Sequence, residues 1–394
     1  MKTAIVGCGY VAEQYGATLA AHPDIELVGA HDNNAANLAA FTNRWPVRKY
    51  ESLDQLLADG DVELVLNLTN PRSHFEINKR ALEAGKHVYS EKPLAMTTGD
   101  AEMLAGIAAR HNRHLASAPC SVLSETAQSL WRAIRNREVG RVRLVYANFD
   151  DGMIAPNMAP WTWTNSLGVP WPAKDEFEIG CTYEHAGYVL TWLCAFFGPV
   201  RRITAFAKVL LPDKGIAVDR MAPDFSVGVL EFDDGVTARV TCGLVAPLDK
   251  SLSVVGDEGT LFVGNVRNDA APVMLQSSAL PRWQSALVRR TRIMQRWLED
   301  RGALSSAEAL FARAYPLAQP RSGGVVSAQK PVDFLRGPSE LVQAIAEARP
   351  CRLSAEFGVH IVEIIEVLQY PERFNHHKTL TTSFAPIAPL EWAR

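Results

Sequence analysis

An apolar run at the N-terminus leads directly into closely spaced small residues, and few folds accommodate that arrangement. Residues 2–6 are mostly apolar, and Gly7, Gly9 and Ala12 follow them. The first glycine suits a tight turn, the second lets a pyrophosphate approach the backbone, and the alanine allows a helix to pack closely on the strand. The first N–H groups of that helix would face the phosphates. The sequence therefore predicts a dinucleotide-binding turn with contacts from Gly7, Gly9, Tyr10, Val11 and Ala12.

A second strand-like run, residues 26–31, ends at Asp32, about twenty residues beyond Ala12. In dinucleotide-binding folds a carboxylate at this spacing binds the ribose hydroxyls of the adenosine. The next residues are Asn33 and Asn34, with no arginine to bind a 2′-phosphate. The sequence therefore predicts NAD as the cofactor and disfavours NADP.

A lysine between an acid and a proline follows the short run 87–89. The residue before a proline is displaced from the helical region, so the strand cannot continue directly into a helix after Lys92. Open α/β sheets bind their ligands at this carboxyl edge. The preceding strand, 62–69, is expected to end at the same edge. The cofactor contacts predicted along the edge are Thr69, Asn70, Pro71, His74, Glu91 and Lys92.

The length of 394 residues allows two domains with substantial cores. Strand and helix signals alternate over 1–120, which predicts an α/β Rossmann domain with a parallel, doubly wound sheet. From about residue 140 onward, period-two strands joined by tight turns predominate. We therefore predict an α+β domain over 121–394 with a large, mostly antiparallel open sheet.

Several helix starts are also predicted. Ser52, Ser73 and Thr97 each precede a helical run and are followed three residues later by Gln, Glu or Asp, the pattern of a capping box or a close variant of it. Later helices are expected over 124–137, 339–349 and 355–369, the last two separated by Pro350.

Composition excludes several classes of protein. The net charge of −3 and the pI of about 6.4 argue against nucleic-acid binding. No apolar run approaches the roughly 20 residues that span a bilayer, and a strand beginning at residue 2 or 3 leaves no room for a signal peptide. The six cysteines show neither a CxxC pair nor zinc spacing. We therefore expect a cytoplasmic protein with reduced, buried thiols, no membrane contact and no metal.

Two segments stand apart from this pattern. Residues 151–175 combine four prolines with Trp161, Trp163 and Trp171, which predicts either a substrate lid or a loop packed on the second sheet. Residues 281–301 hold six arginines against two acids. That segment is interpreted as a solvated helix or subunit contact, with phosphate or membrane-surface contact as the alternative.

Taken together, these motifs resemble those of the glucose–fructose oxidoreductase / inositol dehydrogenase / MocA family. The resemblance is carried by the glycine turn and by the segments Asn70-Pro71, Ala84–Val88, Glu91-Lys92-Pro93, Phe232–Gly235, Val255–Leu261 and Arg349–Ser354. It covers nearly the whole chain apart from roughly 266–330, which is interpreted as an insertion. The resemblance implies an NAD-dependent oxidoreductase whose open sheet mediates self-association into a homodimer or homotetramer.

Members of that family carry an acid on a helix of the second domain and, four residues later, a histidine or tyrosine. This spacing puts both side chains on one helical face. The matching pair here is Glu184 and Tyr188, with His185 beside the acid as a competing base. Glu184 is one methylene longer than the usual aspartate. A second register, beginning at Glu178, would end at Thr182, a poor acid–base group.

The resemblance implies a catalytic set of Lys92, Glu184 and Tyr188, with His185 as the alternative acid–base group. Tyrosine, with a pKa of about 10, is a weak base at pH 7 unless a cation stabilises its phenolate. Lys92 would supply that charge and hydrogen-bond the substrate oxygen. Glu184 would orient the lysine or the substrate.

The implied substrate is a small carbohydrate-like molecule: a sugar, a cyclitol or a nucleotide-linked sugar, with a secondary alcohol oxidised or a ketone reduced. Two other functions stay open. One is NAD-assisted glycoside cleavage with no net redox change, as in some relatives. The other is a non-catalytic regulator that binds NAD and sugar on the same scaffold.

Overall fold

The computed structural model describes residues 1–245, 247–278, 312–318 and 332–394. The arginine-rich segment 281–301, interpreted above as a solvated helix or subunit contact, lies outside the described residues.

The described strands form two sheets. The strands are β1 Lys2–Val6, β2 Glu26–His31, β3 Arg48–Lys49, β4 Leu64–Asn67, β5 His87–Ser90, β6 Leu115–Ser117, β7 Val142–Asp151, β8 Val200–Lys208, β9 Phe225–Phe232, β10 Thr237–Gly243, β11 Leu248–Asp249, β12 Leu252–Gly256, β13 Gly259–Val263, β14 Val273–Ser277, β15 Arg313–Tyr315 and β16 His377–Thr379.

The described α-helices alternate with the first strands and then cluster on the second sheet. They are α1 Ala12–Thr18, α2 Ala35–Arg44, α3 Leu53–Ala58, α4 His74–Glu83, α5 Thr98–Arg110, α6 Glu125–Arg135, α7 Ile154–Met158, α8 Ala173–Ile179, α9 Cys181–Phe197, α10 Arg336–Ala346 and α11 Ala355–Gln369. Within the described ranges, no helix is both long enough and apolar enough to cross a membrane.

The first sheet has six strands in the order β3-β2-β1-β4-β5-β6, and every pairing in it is parallel. This is the strand order of doubly wound dinucleotide-binding folds, in which the direction of winding reverses between β1 and β4. The predicted Rossmann sheet is confirmed. The reversal opens a crevice at the carboxyl ends of β1 and β4, where a ligand binds.

Two of the three predicted N-caps are confirmed. The Ser52 side chain accepts the N–H of Gln55 at the start of α3, and the Thr97 side chain accepts that of Asp100 at the start of α5. The prediction for Ser73 is wrong, because its side chain makes no cap hydrogen bond. Asn70 accepts both the N–H and the hydroxyl of Ser73 instead, capping the 3₁₀ turn that precedes α4.

The second sheet runs β15-β14-β13-β12-β7-β10-β9-β8-β16, with β11 pairing on β7. Its pairings are antiparallel except for that between β10 and β7. The predicted large, mostly antiparallel sheet is therefore confirmed. α9 packs on one face of it, against β7, β9 and β10.

The last long helix, α11, joins the two parts of the molecule. Ala355, Val359 and Val362 pack into the core of the first sheet, together with residues of α5. The Glu366 carboxylate accepts the N–H and the hydroxyl of Thr98 at 3.0 and 2.7 Å, at the start of α5. The division at residue 120 stays a prediction, and α11 contributes to the core on both sides of it.

Candidate active site

A cleft of about 1630 Å³ lies at the carboxyl ends of β1, β4 and β5. One wall comes from the first sheet, and the other comes from α8, α9 and the turns at the ends of β7 and β13. The predicted site residues in its lining are Gly7, Gly9, Tyr10, Val11, Asp32, Thr69, Asn70, Pro71, Glu91, Lys92, Glu184, His185 and Tyr188. A contiguous cleft thus brings together residues that are far apart in the sequence.

The glycine turn has the geometry that a bound pyrophosphate needs. Gly7 has a φ of +95°, and a Cβ there would lie 2.8 Å from backbone atoms of Leu68 and Thr69. A Cβ at Gly9 would instead meet no protein atom within 4 Å. The turn is therefore tight on its protein side and open on its cleft side, so it fits a dinucleotide. Ala12 is buried at the start of α1, beneath the turn.

The Asp32 carboxylate is held in place by backbone donors at the end of β2. It accepts the Cys8 N–H on one oxygen and the Asn34 N–H on the other, each at 2.6 Å. Because each carboxylate oxygen can accept a further hydrogen bond, the group remains able to bind ribose hydroxyls. Its side chain lines the cleft beside Asn33.

Glu91 and His74 support the loop that carries Lys92. Glu91 accepts the Tyr15 hydroxyl at 2.7 Å and the Lys92 N–H at 2.8 Å. The fully buried His74 ring lies between two backbone carbonyls, with Nε2 3.0 Å from that of Thr69 and Nδ1 2.6 Å from that of Pro93. The ring thus lies between the two loops and outside the cleft lining, and its role as a cofactor contact stays a prediction.

Lys92 and Glu184 form an ion pair across the cleft, from the end of β5 to the first turn of α9. The Lys92 side chain is 18 % exposed and that of Glu184 is 7 % exposed. Burial alone would lower the pKa of Lys92, but the Glu184 carboxylate, assisted by Tyr188 and Glu176, raises it above its usual value. The lysine is therefore an ammonium at neutral pH, a hydrogen-bond donor and not a base.

Tyr188 lies one helical turn after Glu184 on α9. Its ring stacks on Phe149 of β7 with centroids 5.0 Å apart, and the Arg267 guanidinium lies 5.3 Å from its centroid. Burial raises the pKa of Tyr188, while the Arg267 and Lys92 cations act in the opposite direction. The cations are placed to stabilise a phenolate at this position.

His185 faces a different partner from Tyr188. Its Nε2 lies 3.1 Å from the Asp151 carboxylate, which also pairs with Lys250. Burial lowers the pKa of His185 to about 3. The ring is therefore neutral and donates from Nε2, so its buried Nδ1 is an acceptor without a partner. A base with so low a pKa is poorly matched to proton removal at pH 7.

Glu176 on α8 adds a second orphaned polar group to the cleft lining. Its Oε2 is buried without a hydrogen-bond partner. Burial, followed by the repulsion of Glu184, raises the pKa of Glu176 well above its usual value. The raised pKa favours the protonated carboxyl, which can donate a hydrogen bond to a hydroxyl of a ligand.

The tryptophan-rich loop crosses from the second sheet to α1. Trp163 and Trp171 line the cleft, and Trp161 packs against Gly215 instead. At the tip, Asn165 donates to the Tyr10 carbonyl at 3.1 Å, and the Ser166 N–H donates to Glu13 at 3.0 Å. The loop thus covers the cleft beside the dinucleotide turn, a placement that suits the predicted lid.

Part of the substrate end of the cleft carries no recognisable signal in the sequence. Asp151, Glu176, Lys250 and Arg267 carry no motif, and Arg267 fell inside the predicted insertion. Only the excess of tryptophans over 151–175 pointed to this region. The part of the chain that the structure describes holds no group of three or more His, Cys, Asp or Glu side chains suited to a metal ion.

Comparison with protein families decides the relationship that the motifs suggested. Residues 1–118 match the NAD-binding Rossmann fold of an oxidoreductase family, and residues 127–262 match the GFO/IDH/MocA C-terminal domain. This chain belongs to the GFO/IDH/MocA family. The cofactor of that Rossmann fold is NAD, which agrees with the open turn at Gly9.

Individual relatives differ in how much of the chain they share. Trans-1,2-dihydrobenzene-1,2-diol dehydrogenase of Danio rerio is 23 % identical over 67 % of this chain and 74 % of its own length. UDP-N-acetylglucosamine 3-dehydrogenase of Acidithiobacillus ferrooxidans is 32 % identical, but over only 29 % of this chain and 35 % of its own length. The match with the higher sequence identity thus spans only about a third of the Acidithiobacillus ferrooxidans enzyme.

Solved structures share the fold over nearly the whole chain. The WlbA dehydrogenase from Bordetella pertussis, crystallised with NADH and UDP-GlcNAcA, superposes with a TM-score of 0.68 over 97 % of this chain and 98 % of its own. Its sequence identity is 18 %, so the likeness concerns the fold. The GFO/IDH/MocA architecture therefore extends across both sheets.

Proposed function

We propose that this GFO/IDH/MocA protein oxidises a secondary alcohol, or reduces the corresponding ketone, of a sugar, cyclitol or nucleotide-linked sugar with NAD. The observation that supports the proposal is the Lys92–Glu184 ion pair in the same cleft as the glycine turn and Tyr188. A cation, an acid and a phenol beside a dinucleotide turn are the groups that alcohol oxidation requires.

Each side chain has a step to perform. Lys92 donates a hydrogen bond to the reacting oxygen and favours the alkoxide as it develops. As a phenolate, Tyr188 takes the hydroxyl proton during oxidation, and as the phenol it gives a proton back during reduction. Glu184 fixes the position of the Lys92 ammonium through their ion pair. Bound NAD supplies the hydride acceptor.

The unpaired polar groups of the cleft suit a hydroxyl-rich substrate. Glu176 offers an unpaired Oε2, which is a donor when the carboxyl is protonated, and His185 offers an acceptor at Nδ1. Buried polar groups without partners are costly, so a ligand that hydrogen-bonds to them gains affinity. The indoles of Trp163 and Trp171 add flat apolar faces to the same cleft.

The test is a panel of polyols, aldoses and nucleotide sugars assayed for NADH formation, with Lys92→Ala run alongside. We expect Lys92→Ala to bind NAD but to lose at least about two orders of magnitude in turnover, the usual scale for a positioned acid–base group. The exposed Lys208 at the end of β8 provides a matched control, and Lys208→Ala should retain wild-type turnover.

Other outcomes would replace the proposal. Sugar release without free NADH would indicate NAD-assisted glycoside cleavage. Binding of NAD and sugar with no turnover would indicate a regulator. Unchanged turnover in Lys92→Ala would remove that lysine from the mechanism.

We also propose that the exposed face of the second sheet mediates self-association into a homodimer or homotetramer. Tyr146, Phe206 and Phe262 are large apolar side chains exposed on its strands. Light scattering of the wild type and of Phe206→Glu tests this proposal, and a monomeric wild type would exclude it.

A further inference from the structure

Arg267 is the cation of the cleft that the proposed mechanism leaves without a ligand. It lies between β13 and β14, lines the cleft and stacks over the Tyr188 ring. Within the described residues, its guanidinium has neither an ion-pair partner nor a hydrogen-bond acceptor, and only its backbone N–H donates, to the side chain of Asn265. Its five side-chain donors are therefore available.

The neighbouring cations are already paired. Lys92 pairs with Glu184, and Lys250 pairs with Asp151. The Asp151 carboxylate also accepts from His185, so each of its two oxygens already has a partner. Among the described residues, Arg267 thus has no direct ion-pair partner beside the proposed proton-accepting group, although Tyr188 and the Asp151 carboxylate are near enough to raise its pKa.

The other titratable groups at this end would not repel an anion strongly. Burial and the Glu184 carboxylate raise the pKa of Glu176, which favours its neutral form, and burial keeps His185 neutral by lowering its pKa to about 3. The Glu91 carboxylate, which accepts the Tyr15 hydroxyl and the Lys92 N–H on the cofactor side, keeps its charge but raises the pKa of Arg267 less than Asp151 or Glu176 does.

We infer that Arg267 binds an anionic group of the substrate, a carboxylate or a phosphate, and so selects anionic over neutral carbohydrates. The inference rests on the proposed function and narrows its substrate class. The planar guanidinium fork matches both groups in bidentate geometry. Its position over Tyr188 holds the anion next to the carbon that reacts.

The experiment compares each hexose of a panel as the neutral sugar, the uronate and the 6-phosphate, measuring kcat/KM for NAD reduction. The readout is the ratio of anionic to neutral kcat/KM, because a ratio cancels any loss common to all substrates, including one caused by weaker stabilisation of the Tyr188 phenolate. We expect at least one anionic form to be preferred by the wild type. Arg267→Gln should lower that ratio about ten- to hundredfold, the range for hydrogen bonds between charged groups.

A matched control exists on the other side of the sheet. Arg239 lies over the ring of Tyr146 with its guanidinium carbon 4.9 Å from the centroid, outside the cleft lining. Arg239→Gln should leave both the ratio and the activity unchanged. Equal melting temperatures and NAD affinities of wild type and Arg267→Gln will show that the fold is retained.

Binding measurements separate this inference from the proposed function. If no sugar is oxidised, calorimetry with the NAD-loaded protein still compares uronate and 6-phosphate with the neutral hexose. An anionic preference that Arg267→Gln removes would support the anion site while overturning the redox proposal, and whether uronate or 6-phosphate shows it identifies the group. Oxidation of sugars with a ratio that Arg267→Gln leaves unchanged would overturn the anion site alone. Binding of no member of the series would also overturn it.

Discussion

The two ends of the cleft are built in different ways. The cofactor end uses backbone geometry: the turn at Gly7 and Gly9, and an Asp32 carboxylate held by two N–H groups. The substrate end uses side chains from separate elements, such as Lys92 after β5 and Tyr188 on α9. Changes at the first end should alter the chain path or the room for a ligand, whereas changes at the second should alter charge balance and leave the fold intact.

The largest effect is expected at Tyr188. Tyr188→Phe removes the proton acceptor while keeping the ring that stacks on Phe149, so kcat for alcohol oxidation should fall about 10²–10⁴-fold with stability retained. Because burial raises the pKa of Tyr188, the wild-type oxidation rate should rise with pH through the neutral range. Titration of His185 should cause no break in the pH–rate profile within the neutral range, because its pKa is about 3. Steady-state rates from pH 5 to 10 check both points.

His185→Asn is the companion variant for the same helix. It should cost much less than Tyr188→Phe, because His185 acts on Asp151 and on the ligand only through hydrogen bonds. Two results together would identify His185 as the proton acceptor instead of Tyr188. Tyr188→Phe would keep nearly the wild-type rate, and the pH–rate profile would show a break near pH 6–7 that His185→Asn abolishes.

The glycine pair gives the next largest effect and separates folding from binding. Gly7→Ala puts a Cβ 2.8 Å from backbone atoms at a φ of +95°, so the free energy of unfolding should fall by about 2 kcal/mol or more. Gly9→Ala meets no protein atom within 4 Å. It should keep the wild-type stability yet weaken NAD binding, because the methyl occupies the space of the pyrophosphate. Urea denaturation and NAD titration measure the two quantities.

Equal destabilisation by both alanines would contradict this division between the two glycines. An unchanged NAD affinity in Gly9→Ala would also contradict it. Either result would show that the open side of the turn does not face the cofactor.

Asp32→Ala is expected to act mainly on cofactor binding. Loss of hydrogen bonds to the ribose should weaken NAD binding about tenfold or more, while NADP, which places a phosphate near this carboxylate, should be weakened less. The Cys8 and Asn34 N–H groups lose an acceptor at the same time, so a small loss of stability should accompany the change. Fluorescence titration with both cofactors checks the difference, and an equal loss for both would contradict the ribose role.

The contrast between the cofactor end and the substrate end of the cleft also explains which features the sequence predicts well. Signals carried by a few neighbouring residues were reliable: the glycine turn, the Thr97 cap and the α11 helix at Ala355–Gln369 all agree with the structure. The Ser73 cap failed because the Ser73 hydroxyl donates to Asn70, three residues earlier, and so accepts no N–H of α4. Local patterns give the right element even where the capping side chain differs.

The substrate end could be predicted only in part. The i, i+4 pattern and the family resemblance pointed to residues on α9. Arg267, however, reaches the cleft because β13 pairs on β12 and β12 on β7, and that register depends on contacts far apart in the chain. No local signal distinguishes it from other arginines. The residues that line a cavity between elements far apart in the sequence therefore have to be identified in the structure.

The smallest expected effect concerns the loop that spans both ends. Ser166 donates its hydroxyl and its N–H to the Glu13 carboxylate on α1, in exposed surroundings. Ser166→Ala removes only the hydroxyl bond, worth about 0.5–1.5 kcal/mol, so KM should rise about two- to tenfold with kcat unchanged. Glu13→Ala removes both bonds and should raise KM further. In the double variant the effects should not add, because both substitutions break the same contact. Additive effects, or a change in kcat with KM constant, would show that the loop does not act as a latch over the cleft.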